Sequence, residues 1–259
     1  MKIRLLNNLE GLFGFFSPII LALSLFLSII FSPNYRILEQ YVSDLAYYSG
    51  KFFFSVGFAI SGVFLVPFFI ALERELVRIN ENLRRLATVI SIFTCTCFAL
   101  VSIIPDETYI DIFIYFHGFL AFFVFFGSGL YIFLYSFLIL LSLKSEEYTG
   151  PKFHILLVVL GFFTSVGEFL LLFDFKPFLE WIILILILIW IFLTSIHIIV
   201  HRFIRFPVTE LNQLNNSELR EIFEVISEKF EELNIKNQSI KNIVKNNIKI
   251  LNERNNKLK

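Results

Sequence analysis

FLEWIILILILIWIFLTSIHIIV, residues 178–200, decides the fold. The segment has one acidic residue, Glu180, near its start, and then runs apolar except for Thr194, Ser195 and His197. A helix of about 20 such residues crosses the hydrocarbon core of a bilayer. No water is present there to satisfy exposed backbone groups, so the segment must be helical. Five further blocks have the same character: 12–31, 52–72, 86–104, 112–141 and 153–173. The sequence therefore predicts an all-α polytopic membrane protein with six transmembrane helices. The chain divides into a six-helix transmembrane domain over 1–206 and a cytoplasmic amphipathic helical tail over 207–259.

Composition agrees with this division. The chain is 57% hydrophobic and 17% charged, with mean hydropathy +0.76. Soluble domains average about 45–50% apolar and about 25% charged residues. The formal net charge is zero, so no bulk attraction to a polyanion is implied. The tail carries no nucleic-acid motif, and nucleic acid is not expected as a partner. Lys2 and Arg4 precede the first block as they would in a signal peptide. The apolar run is too long for one and no small-residue cleavage site follows it, so the helix is expected to be retained. Cys95 and Cys97 lie close together on one helix, too rigidly held to favour a mutual disulfide, and read as small packing residues.

Lysine and arginine near the helix ends set the orientation. One side carries Lys2, Arg4, Arg74, Arg78, Arg84, Arg85, Lys144, Lys152, Arg202 and Arg205, and the other only Arg36, Lys51 and Lys176. Both termini are thus expected in the cytoplasm of a cell-membrane protein. The loops holding Ser43, Asp44, Asp106 and Asp174 are expected to face outward.

The first outer loop reads SPNYRILEQYVSDL over residues 32–45. Ile37, Leu38, Tyr41, Val42 and Leu45 can form one apolar face of a short interfacial helix. Ser43 and Asp44 have the chemistry of a helix cap as much as that of a binding site. His117 in the fourth helix and Glu168 in the fifth sit at similar depth on the same side. Ionisable residues within spans are functional candidates by default. A structural hydrogen-bond pair and snorkelling to the interface are the alternatives for these two. Glu180 opens the sixth helix, where the helix dipole favours a carboxylate. Ser55, Gly57, Ser61 and Gly62 on the second helix are small enough for close helix packing.

At the opposite end, His197 and His201 stand one turn apart, with His154 on the same side. That spacing is compatible with metal binding, but no third ligand is fixed nearby. The histidines read as interfacial residues beside Arg202 and Arg205. In the tail, Leu219, Ile222, Phe223, Ile226, Phe230 and Leu233 recur at helical spacing, with an acidic first half and a basic second half. Residues 217–251 therefore offer a surface for a second copy of the chain or another protein. The basic half could also lie on anionic headgroups.

Three stretches together resemble a known family. Tyr41-Val42-Ser43-Asp44-Leu45 precedes the second helix, Val101-Ser102-Ile103-Ile104-Pro105-Asp106 is followed by His117, and Phe178-Leu179-Glu180-Trp181 opens the last helix. This pattern is similar to the six-helix prokaryotic membrane family named domain of unknown function 998. That family is distantly similar to the Frag/DRAM/Sfk membrane proteins, linked to lipid remodelling, lipid homeostasis and autophagy. The likeness runs over residues 12–205 and omits the tail. The family pattern has Asn where Ser55 stands here, and Glu-Arg where Glu180-Trp181 stands. The resemblance implies membrane lipids as partners and supplies no activity.

Ser43, Asp44, Asp106, His117, Glu168 and Glu180 are the candidate members of an outward-facing polar pocket. Carboxylates converging with a histidine suit acid–base work or a polar ligand. No nucleophile motif, phosphate loop or complete metal signature is present, so catalytic residues and cofactors stay unassigned and no metal site is expected. The sequence leaves three readings open: lipid binding or processing at this pocket, a scaffold or sensor working through the tail, and a small-solute or proton-coupled transporter. The transporter reading lacks an internal repeat or a pair of interrupted helices.

The charge asymmetry predicts the outcome of cysteine labelling in a background lacking Cys95 and Cys97. Ser49→Cys is expected to react with an impermeant thiol reagent from outside intact cells, and Ser145→Cys only after lysis. Reversed labelling would invert the topology.

Overall fold

The computed structural model describes residues 2–77, 79–103, 111–146 and 148–202. The tail, including residues 217–251, and Asp106 lie outside the described residues. The described residues fold into six helices: α1 (Lys2–Ile30), α2 (Lys51–Glu75), α3 (Glu81–Val101), α4 (Asp111–Lys144), α5 (Ile155–Phe173) and α6 (Pro177–Val200). A short 3₁₀ helix, Val42–Tyr47, interrupts the α1–α2 connection. Each α-helix contains a stretch long and apolar enough to cross a membrane. No strand occurs among the described residues. The molecule is a multi-pass membrane protein.

Local chemistry sets the helix ends. Asn80 caps α3, its side chain accepting from the Leu83 N–H at 3.1 Å. This cap starts α3 at Glu81, ahead of the apolar block, and places Arg84 and Arg85 in its first turns. His154 caps α5 by accepting from the Leu156 N–H at 3.2 Å. Pro177 opens α6, where a missing N–H costs nothing and the fixed φ suits a helix.

Each helix packs on its neighbour in sequence, and α6 also packs on α1, so the bundle closes into a ring. Leu23, Val63, Val89, Leu156 and Phe163 point outward and are more than half exposed, as lipid-facing positions require. Small residues make the seams. Ser17 and Ser61 each donate to the other's carbonyl at 3.1 Å, joining α1 to α2. Ser55 and Ser102 make the same exchange, at 2.7 and 3.3 Å, between α2 and the end of α3. Gly50 allows a close approach of two backbones: a Cβ there would stand 2.1 Å from the Ser28 carbonyl oxygen. The Ser28 hydroxyl donates to the Gly50 carbonyl at 3.0 Å, and the Gly50 N–H donates to Ser32 Oγ at 3.2 Å. The two ends of the 31–50 connection are thus locked together.

Two apolar cores form inside the ring. One gathers Leu21, Leu25, Val42, Leu45, Phe54, Phe58 and Trp181 at the end carrying the 3₁₀ helix. The other, centred on Phe68, Phe69, Tyr135, Leu138 and Trp190, fills the opposite half. Cys95 and Cys97 are buried and free.

The far end of the bundle gives His201 and Arg202 a shared partner. His201 Nδ1 lies 3.2 Å from Glu75 Oε2, and the Arg202 Nε–H donates to Glu75 Oε1. Arg202 also reaches Glu10 at 3.9 Å, and Arg74 pairs with Glu10 at 2.7 Å. These charges link α1, α2 and the end of α6. Glu10 and Glu75 were not singled out because their partners lie far away in sequence. His197 instead bonds its own helix through the Leu193 carbonyl at 2.8 Å. No group of three or more His, Cys, Asp or Glu side chains among the described residues is arranged to hold a metal ion.

Candidate functional site

The connection between α1 and α2 folds back over the ring as a lid. Its 3₁₀ geometry brings residues three apart onto one side, so Val42 and Leu45 both turn inward and are buried. The single apolar face expected from the sequence does not form. Ile37 and Leu38 precede the 3₁₀ helix and are exposed at 41% and 65%. The Tyr41 N–H donates to Asp44 Oδ2 at 2.9 Å, so Asp44 caps the 3₁₀ helix. Tyr35 holds the segment from beneath, its hydroxyl donating to the Tyr41 carbonyl at 2.7 Å. Burial, with Glu180 and Asp44 adding to it, pushes the Tyr35 phenol well up and keeps its proton in place.

Helix α6 fastens the lid. The Val42 N–H donates to Glu180 Oε2 at 2.9 Å. The adjacent Trp181 indole N–H donates to the Gln40 carbonyl at 3.3 Å. Tyr41 reaches the α5–α6 turn, its hydroxyl donating to the Phe175 carbonyl at 2.9 Å. Glu180 is 7% exposed. Its carboxyl therefore serves the lid's backbone as well as the start of its own helix.

Under the lid, all six helices line one cavity of about 500 Å³. Its walls are largely apolar: Leu21, Phe54, Phe58, Phe98, Leu184 and Leu188 are among them. Ser43, Asp44, His117, Glu168 and Glu180 all contribute to its lining. Of the six sequence candidates only Asp106 is left out, since it lies outside the described residues. His117 is 9% exposed and Glu168 is fully buried, so neither side chain snorkels to the interface.

Glu168 is held by a residue the sequence did not single out. The Ser128 hydroxyl donates to Glu168 Oε1 at 2.7 Å. Glu168 Oε2 has no hydrogen-bond partner among the described residues, and neither has Thr94 Oγ1. Both side chains line the cavity. The run Gly127-Ser128-Gly129 on α4 seats them. A Cβ on Gly127 would stand 2.0 Å from Thr94 Oγ1, and one on Gly129 would stand 3.0 Å from Glu168 Cβ. That Gly-Ser-Gly run inside a phenylalanine-rich block is the signal from which the cradle could have been read. Gly118 and Phe122, also on the lining, are exposed, so the cavity reaches the outer surface of α4.

The lid bond gives a direct test. Glu180→Ala strands a buried Val42 N–H, at a cost of about 1–3 kcal/mol. Glu180→Gln keeps an acceptor at that place. Thermal unfolding in one detergent is expected to show a clear loss for Glu180→Ala and a small one for Glu180→Gln. Equal losses would mean that the carboxyl does not hold the lid through this bond.

No curated protein and no solved structure matches the chain. A family model described as a protein of unknown function (DUF998) matches residues 16–197, from within α1 to the last turn of α6. That match takes in every helix that lines the cavity and more than two thirds of the chain, so the protein belongs to the DUF998 family.

Proposed function

We propose that the protein binds a membrane amphiphile in the cavity beneath the lid, with the polar head at Glu168 and the hydrocarbon part along the apolar walls. The observation that carries this reading is Glu168 Oε2, fully buried, lining the cavity and unpartnered among the described residues. An unmatched buried polar group costs free energy that a ligand can return. Apolar walls with a few convergent polar groups are the usual make-up of a ligand pocket, and the volume falls in the usual range of roughly 300–1,000 Å³. Gly118 offers a way in from the bilayer side, since it lines the cavity and is exposed.

Further support comes from the resemblance carried by the Ser43-Asp44-Leu45 and Pro105-Asp106…His117 elements to the domain of unknown function 998 family, which is distantly similar to the Frag/DRAM/Sfk proteins linked to lipid remodelling. With both termini in the cytoplasm of a cell membrane, as the charge asymmetry implies, the lid and the carboxyl end of the cavity face outward.

Native mass spectrometry of protein extracted in a mild non-ionic detergent tests the proposal. One amphiphile per chain is expected to stay bound to the wild type. Ala121 lines the cavity, and Ala121→Trp is expected to abolish retention while circular dichroism stays helical. A wild type with no retained mass, or equal retention by a folded Ala121→Trp, would overturn it.

A further inference from the structure

Resting on the proposed amphiphile site, the chemistry of the cavity's polar end selects among head groups. Asp44, Glu168 and Glu180 line it, and no lysine or arginine does among the described residues. An anionic head, phosphate or carboxylate, would enter beside three carboxyl groups and meet no fixed cation other than what His117 provides. An anion taken out of water with no cation or full set of donors to meet it pays a heavy desolvation cost. Two buried oxygens on side chains that line the cavity have no hydrogen-bond partner among the described residues: Glu168 Oε2 and Thr94 Oγ1. Water could satisfy an isolated oxygen. It would not fill the apolar remainder, because cavities lined by hydrocarbon stay dry.

We infer that the site takes a single-chain amphiphile with a hydrogen-bond-donating amino head, seated between Glu168 and Thr94, and discriminates against anionic heads. An ammonium carries three donors and no acceptor, so it suits a site whose unmatched groups are oxygens. A charge-assisted bond to a carboxylate is roughly twice as strong as a neutral one. The cavity's volume of about 500 Å³ suits one hydrocarbon chain with its head better than a whole diacyl lipid.

Three probes of equal chain length separate the possibilities: dodecylamine, dodecanoate and dodecyl phosphate. Each is added to full-length protein in a non-ionic detergent, and occupancy is titrated by native mass spectrometry. The folded Ala121→Trp variant reports association with the micelle alone. Dodecylamine is expected to bind at one per chain and roughly tenfold or more tighter than either anion. Glu168→Gln is expected to weaken the amine about tenfold and leave the anions no weaker. Either anion binding as tightly as the amine to the wild type would overturn the head-group assignment, while the cavity reading would stand. Amine affinity unchanged in Glu168→Gln would remove Glu168 from the site. No probe binding above the Ala121→Trp level would overturn the cavity reading itself. The wild-type ranking needs no variant, so the inference stays testable if Glu168→Gln folds poorly.

Discussion

The hydrogen bond from the Val42 N–H to the Glu180 carboxyl joins residues 138 positions apart and turns a connecting loop into a roof. Irregular backbone at the edge of a membrane must have its polar groups matched, because each unmatched one is costly away from water. The lid meets that demand from three sides. Glu180 and Trp181 serve it from α6, Tyr35 from within the loop, and Asp44 from the 3₁₀ helix itself. Once the backbone is matched, Val42 and Leu45 can bury their side chains in the apolar core at that end. The cavity exists because this roof is held above a ring whose helices close α6 onto α1.

The same rule, applied below the roof, sets Glu168 apart. Ser17, Ser61, Ser55 and Ser102 are matched by reciprocal bonds that stitch helices together. At the far end, Glu10 and Glu75 are matched by Arg74, His201 and Arg202. Glu168 is matched at one oxygen only, and Thr94 Oγ1, on a side chain lining the same cavity, has no partner among the described residues. Elsewhere Ser136 Oγ and Trp190 Nε1 also lack partners among the described residues, but neither side chain lines the cavity. The polar end of the cavity is thus where unmatched acceptors and free volume coincide.

The six spans were legible because each is an unbroken apolar block about as long as the bilayer is thick. Family membership was legible in short elements such as Ser43-Asp44-Leu45 and Pro105-Asp106 followed by His117. Side-chain partners were not. A helix that is apolar all round shows no preferred face, so nothing in residues 178–200 tells which way Glu180 points. The Ser128–Glu168 contact depends on the rotation of α4 and α5 about their axes, which hydropathy does not set. The lid was half legible: its burial of Val42 and Leu45 followed from pattern, but a helical period of 3.6 wrongly grouped Ile37 and Leu38 with them. The Glu75–Arg202 pair was hidden behind a rule that counts arginines for orientation and ignores carboxylates.

Occupancy of the cavity is the central claim, and density is its most direct measure. Electron cryo-microscopy of the protein in lipid nanodiscs would show the space beneath Val42 and Leu45. The account predicts one elongated density running along Phe58 and Leu188, with one end within hydrogen-bonding reach of Glu168 Oε2 and Thr94 Oγ1. A cavity closed by its own side chains, or one holding only isolated water-sized peaks, would contradict it.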